Sequence, residues 1–231
     1  MMKNDPGTVV FDLDGTLADT AADLIAAANA CFRARGLGDL LDARHDTGIA
    51  FHGGRAMLRA GYGRAGADRL IPPGAEDEDY PRLLAFYDGC IARSTTLYPG
   101  VTAALEALAA DGFILSVCTN KPGALAEKLL RALGIRDRFA AMVAADTLPV
   151  RKPDPRCYAA AVERAGGTVA RSFLVGDTET DLRTARASGV RVALVGFGPE
   201  GDGVARLAPD AVLAGFEALP ALARGWLRPL G

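Results

Sequence analysis

The order of apolar runs after Tyr98-Pro99-Gly100 constrains this 231-residue chain most. Short β-branched and aromatic segments alternate there with longer amphipathic ones. Residues 101–110 predict a helix and 113–118 a strand. The pattern repeats as 124–133 and 142–144, then 156–164 and 173–175, then 181–187 and 190–195. A last strand at 211–213 leads into a final helix. Strands separated by helices return in the same direction, so this rhythm specifies a parallel sheet with helices on both faces. Thr8-Val9-Val10-Phe11 supplies one more such strand at the start of the chain. The fold class is therefore α/β, with a Rossmann-like parallel sheet. From Asp19 to Thr95 no strand pattern occurs, only helical stretches such as 21–35, a short one at 56–60, and one running through Leu83, Leu84, Phe86 and Ile91. We read 19–95 as a small α-helical cap domain inserted into a core domain made of 1–18 and 96–231. The acidic run Glu76-Asp77-Glu78-Asp79 reads as the solvated start of the last cap helix.

Open parallel sheets bind ligands at the carboxyl ends of their strands. Asp12 and Asp14 follow the first strand, and Thr119, Asn120 and Lys121 follow the second. Asp146 follows the third, and Gly176, Asp177 and Asp181 follow the fourth, with Lys152 in the loop before the fourth helix. Asp12, Asp14, Asp177 and Asp181 would bring four carboxylates together, which is costly without a cation. An all-oxygen set suits a hard ion, and Mg²⁺ is the common choice. The Thr119 hydroxyl, the Asn120 backbone N–H and the Lys152 ammonium suit phosphate oxygens.

The rest of the sequence narrows the field. Two histidines, His45 and His52, exclude a multi-histidine zinc site. No P-loop and no dinucleotide-binding glycine motif follows a strand. Lys plus Arg is 26 against 28 for Asp plus Glu, so bulk charge gives no nucleic-acid binder. Only Lys3, Lys121, Lys128 and Lys152 are lysines in this arginine-dominated set, which draws attention to each one kept. Cys31, Cys90, Cys118 and Cys157 form no Cys-x-x-Cys pair. With a polar Met1 to Gly7 in place of a secretory segment, they read as reduced thiols of a cytoplasmic protein. No apolar stretch approaches the roughly 20 residues of a membrane span.

Asp12-Leu13-Asp14-Gly15-Thr16-Leu17-Ala18-Asp19 resembles the first motif of the haloacid dehalogenase-like superfamily. Thr119 resembles its second motif, Lys152-Pro153-Asp154-Pro155 its third, and Gly176-Asp177-Thr178-Glu179-Thr180-Asp181 its fourth. Tyr98-Pro99-Gly100-Val101, Thr119-Asn120-Lys121-Pro122 and the segment from Asp146 to Pro153 resemble the phosphoglycolate phosphatase branch. The resemblance implies a Mg²⁺-dependent phosphatase for a small phosphorylated metabolite, 2-phosphoglycolate in that branch, acting as a monomer or homodimer. It implies Asp12 as a nucleophile that forms an aspartyl-phosphate and Asp14 as general acid and then general base. Asp12, Asp177 and the backbone carbonyl of Asp14 would ligate the metal, with Asp181 holding its waters or ligating weakly. Thr119, Asn120 and Lys152 would cradle the phosphoryl group.

Within the superfamily, a sugar phosphomutase or a phosphatase for another metabolite are the alternatives. An inactive binding module on the same fold is the non-enzymatic one, and the presence of both Asp12 and Lys152 argues against it. A dehalogenase is disfavoured by Asp14, and a phosphonate hydrolase by the absence of lysine from the cap. Discrimination between substrates is expected from the cap. There His52-Gly53-Gly54-Arg55 combines two donor side chains with a helix start, which suits a substrate carboxylate.

Overall fold

A computed structural model of the protein describes residues 7–65 and 71–227. The polar start of the chain, apart from Gly7, lies outside the described residues. The strands are β1 (Thr8–Phe11), β2 (Ala18–Asp19), β3 (Thr96–Leu97), β4 (Ile114–Cys118), β5 (Ala141–Val143), β6 (Ser172–Gly176), β7 (Arg191–Val195) and β8 (Ala211–Leu213). The helices are α1 (Ala21–Ala34), α2 (Thr47–Ala50), α3 (Gly54–Arg64), α4 (Ala75–Cys90), α5 (Val101–Ala110), α6 (Gly123–Ala132), α7 (Pro155–Arg164), α8 (Glu179–Ser188) and α9 (Leu219–Leu227).

The chain divides into two units, one formed by Met1–Ala18 with Leu97–Gly231 and the other by Asp19–Thr96. The short strands β2 and β3, which straddle the boundary, form a two-stranded sheet of their own.

The first unit is a six-stranded sheet in the order β5-β4-β1-β6-β7-β8, with every pairing parallel. All four residues of β1 and all five of β6 are buried. That is what a strand covered by helices on both faces requires, and it explains the unbroken apolar runs. From β1 the chain steps outward to β4 and β5, then returns to the other side of β1 as β6. The order reverses at β1 and β6, and the crevice beyond their carboxyl ends is the ligand position of such sheets.

The second unit is helical. Its interior gathers Phe32, Met57, Leu58, Leu83 and Tyr87, each almost wholly buried, and Phe32 meets Tyr62 edge to face at 5.2 Å. Helix α3 is longer than the 56–60 expected. Gly61 interrupts its pattern, yet a Cβ there would lie 2.1 Å from the Phe32 ring, so the glycine serves close packing. The acidic run is solvated at Asp77 and Glu78 but not at its last residue. Asp79 is fully buried, ion-paired with Arg35 and Arg82 and hydrogen-bonded by the Tyr62 hydroxyl. Burial acts to raise its carboxyl, but the bonds from Arg35 and Tyr62 outweigh it and hold the group below its ordinary value. Asp23, in the first turn of α1, accepts the backbone N–H groups of Ser94 and Thr95 at 3.0 Å each and the Thr95 hydroxyl at 2.7 Å.

Candidate active site

Asp12 is the first residue beyond β1. Its backbone N–H donates to the Val175 carbonyl of β6 at 2.9 Å, which fixes it against the Gly176-Asp177 step on the neighbouring strand. Asp177 is 1% exposed, and Thr16 donates its hydroxyl to one of its oxygens at 2.7 Å. Asp181 belongs to the first turn of α8 and closes a capping box with Thr178. Its Oδ2 accepts from the Thr178 N–H at 3.1 Å and hydroxyl at 2.7 Å. The close approach of this carboxylate explains Gly176, where a Cβ would sit 2.5 Å from the Asp181 side chain.

Lys152 arrives from the loop before α7. That loop ends at Asp154, whose side chain caps the helix on the Arg156 N–H, and Asn120 ties it to β4 by donating to the Lys152 carbonyl at 3.0 Å. The Lys152 Nζ lies 2.6 Å from Asp181 Oδ1 and 3.0 Å from Asp12 Oδ1, with its side chain 2% exposed. Burial works against this ammonium, but Asp12 and Asp181 more than offset it and hold it charged well above the ordinary lysine range.

Carboxylate oxygens of Asp12, Asp177 and Asp181 lie within 4.8 Å of one another. Three carboxylates against the single Lys152 ammonium leave about two negative charges in a buried space, an arrangement that is strongly unfavourable without a further cation. Burial, with Asp181 adding to it and Lys152 opposing, pushes the Asp12 carboxyl up to about 6. Burial, Asp181 and Asp12 together push Asp177 well above the carboxylate range. Asp12 Oδ1 is buried without a hydrogen-bond donor, although Lys152 is close by. The cluster therefore fits a divalent ion, and its all-oxygen donor set fits a hard one.

The Asp14 carboxylate is not part of this cluster. It faces Lys121, whose Nζ lies 2.8 Å from Asp14 Oδ1. Thr119 is buried, and its hydroxyl oxygen accepts the Lys121 N–H at 3.2 Å. Asp146, also at this edge of the sheet, accepts the Gly123 N–H at the start of α6 and so has a structural partner. In the helical unit His52 is exposed. Arg55 opens α3 beside it, pairs with Asp77 at 2.5 Å and lies 3.9 Å above the Tyr80 ring.

Sequence reasoning missed two partners, Thr16 for Asp177 and Lys121 for Asp14. Thr16 had a signal in its fixed offset from Asp12. Lys121 had one in being a lysine where the chain otherwise uses arginine. Cys118 is fully buried beside Thr119, and burial pushes its thiol up to about 12, as for an inert packing residue.

A parallel sheet whose switch point gathers a buried aspartate cluster, a lysine paired to two of its members and a separate carboxylate defines an enzyme that handles an anionic group. The family description haloacid dehalogenase-like hydrolase matches residues 6–189, and the chain belongs to that family of hydrolases. It is 39% identical over 216 residues to a phosphoglycolate phosphatase of Agrobacterium fabrum, covering 92% of this chain and 91% of that one. It is 37% identical over 211 residues to a phosphoglycolate phosphatase of Mesorhizobium japonicum, covering 91% and 92%. Among solved structures, a predicted phosphoglycolate phosphatase from Haemophilus somnus superposes with a TM-score of 0.83 at 25% identity, covering 96% of this chain and 99% of that one.

Proposed function

We propose that this hydrolase cleaves 2-phosphoglycolate in a Mg²⁺-dependent reaction that passes through an aspartyl-phosphate on Asp12. The observation that carries the reading is the separation of two aspartates two residues apart. Asp12 lies in the buried cluster with Lys152, while Asp14 is drawn away to Lys121. On this reading one carboxylate attacks and the other handles protons. The names of the relatives support the substrate.

In the first step the Asp12 carboxylate attacks phosphorus while the bond from phosphorus to the glycolate oxygen breaks, and Asp14 gives that oxygen a proton. In the second, Asp14 takes a proton from water, which attacks the aspartyl-phosphate. Inorganic phosphate leaves and the Asp12 carboxylate is restored. Lys152, the Thr119 hydroxyl and the Asn120 backbone N–H hold the phosphoryl oxygens. Asp181 holds Lys152 in place and supports the metal site from its edge. Asp12, Asp177 and the Asp14 carbonyl would hold the Mg²⁺, which when bound neutralises the negative charge shared by the carboxylates and the phosphate. His52 and Arg55 are our candidates in the helical unit for contacts to the rest of the substrate. The same reading makes the protein a cytoplasmic enzyme, monomeric or homodimeric, with its thiols reduced.

The test is a phosphate-release screen over small phosphate monoesters, with and without Mg²⁺. We expect 2-phosphoglycolate to give the highest kcat/KM and EDTA to stop turnover. A hexose phosphate turned over faster, or phosphoryl transfer within a sugar in place of release to water, would overturn the assignment.

A further inference from the structure

Lys121 has no part in the chemistry described above, although its side chain is only 4% exposed and its Nζ lies 2.8 Å from Asp14 Oδ1. From its position we infer that Lys121 binds the carboxylate of the substrate's leaving group, so that the α/β unit itself recognises the glycolate moiety. The inference rests on the proposed phosphoglycolate reading and deepens it.

The argument is geometric. In the proposed reaction Asp14 must hydrogen-bond the ester oxygen, at about 2.7 Å for an acid in reach of its proton acceptor. The Lys121 Nζ lies 2.8 Å from an oxygen of that same carboxylate. In 2-phosphoglycolate a single methylene separates the ester oxygen from the carboxylate carbon. With bonds of about 1.4–1.5 Å, the carboxylate oxygens fall roughly 3 Å from the ester oxygen. The lysine ammonium and the substrate carboxylate are thus neighbours of one atom pair, the Asp14 oxygen and the ester oxygen, and carry opposite charges. An ammonium has three N–H donors, so bonds to Asp14 and to a substrate oxygen are compatible.

The surroundings fix this placement. Lys121 follows the end of β4, next to β1 in the sheet, and its N–H donates to the buried Thr119 hydroxyl. Its carbonyl accepts the Ala145 N–H at 3.0 Å. The backbone is held at both groups, so the ammonium approaches Asp14 from a fixed root. A compact ammonium fits between two carboxylates more readily than the wide planar guanidinium used elsewhere in this chain. The contact also measures length, because a carboxylate one methylene further from phosphorus would overshoot the Nζ. On this inference the α/β unit contributes to discrimination, in addition to what is expected of the cap.

The experiment compares kcat and KM of the Mg²⁺-loaded protein for 2-phosphoglycolate, 3-phosphooxypropionate and ethyl phosphate, in the wild type and in Lys121→Met, Lys121→Gln and Lys121→Arg. Wild type should prefer 2-phosphoglycolate over both others. In Lys121→Met the kcat/KM ratio of 2-phosphoglycolate to ethyl phosphate should fall at least tenfold, mainly through KM, while Lys121→Arg retains part of it. Should Lys121→Met fail to fold, the near-isosteric Lys121→Gln gives the same reading. An unchanged ratio with kcat lost equally on both substrates would make Lys121 a positioning residue for Asp14 and overturn the inference, leaving the phosphatase reading intact. A wild type indifferent to the carboxylate would overturn that reading as well.

Discussion

Replacing Lys152 by methionine tests the electrostatic account of the site most directly. The substitution keeps most of the side-chain volume and removes the one ammonium that lies 3.0 Å from Asp12 and 2.6 Å from Asp181. Three buried carboxylates then remain with no cation. Removing one partner of a buried pair costs about 3–5 kcal/mol, because the other charge is left uncompensated. For a protein of this size each kcal/mol shifts the melting midpoint by about 2–4 °C, so the loss should be roughly 6–20 °C. The sign with pH follows from Asp12, already raised to about 6 by burial against the pull of Lys152. A carboxyl raised in the folded state makes folding most favourable below the unfolded value, and that contribution is lost as pH rises through the folded value. Without Lys152 the folded values rise further. The gap between wild type and variant should therefore be small near pH 5 and full by pH 8. Thermal melts in EDTA at several pH values, followed by circular dichroism, measure it. Midpoints agreeing within about 2 °C at pH 8, or a gap that ignores pH, would refute the reasoning.

Asp14→Asn should cut turnover by about 10²–10⁴-fold while leaving Mg²⁺ affinity near that of wild type, checked by steady-state kinetics and metal titration. Asp12→Asn should abolish turnover and the acid-stable phosphoryl label on the protein, so any labelled variant would count against this nucleophile. Because protons and metal compete for Asp12 and Asp177, the rise in melting midpoint caused by Mg²⁺ should grow as pH increases through about 6 and fade at pH 5. Arg55→Ala should raise KM for 2-phosphoglycolate by roughly tenfold, as for the loss of one charged hydrogen bond, and leave para-nitrophenyl phosphate nearly unaffected.

The α/β sheet was legible because its strands are buried on both faces, which leaves short unbroken apolar runs such as Thr8–Phe11 and Ser172–Gly176. The edge at which Asp12, Lys152, Asp177 and Asp181 meet followed from the rule that ligands lie beyond strand ends. Partnerships were harder to read. Nothing in the spacing separates an Asp79 facing water from one buried against Arg35, Arg82 and Tyr62, because its three acidic neighbours lie nearer the surface. Helix α3 was clipped because glycine lowers helical propensity, whereas Gly61 is kept to admit the Phe32 ring. The bond between Lys121 and Asp14 joins residues 107 positions apart in sequence. It exists only because β1 and β4 are adjacent, and that adjacency is a property of strand order.

The bonds from Asp23 to Ser94 and Thr95, together with the β2–β3 pairing, have a consequence for how such an enzyme changes. They join the entry and exit of Asp19–Thr96 at one place, so to the sheet the whole insertion resembles a hairpin turn. The entropic cost of closing a loop rises only logarithmically with its length, by about 0.6 kcal/mol for each doubling, and ends that are already joined reduce even that dependence. The helical segment can then lengthen, shorten or be exchanged without altering the folding of the strands that carry Asp12 and Asp177. In such an architecture the helical part can be remodelled while the reaction chemistry beyond the strand ends stays fixed.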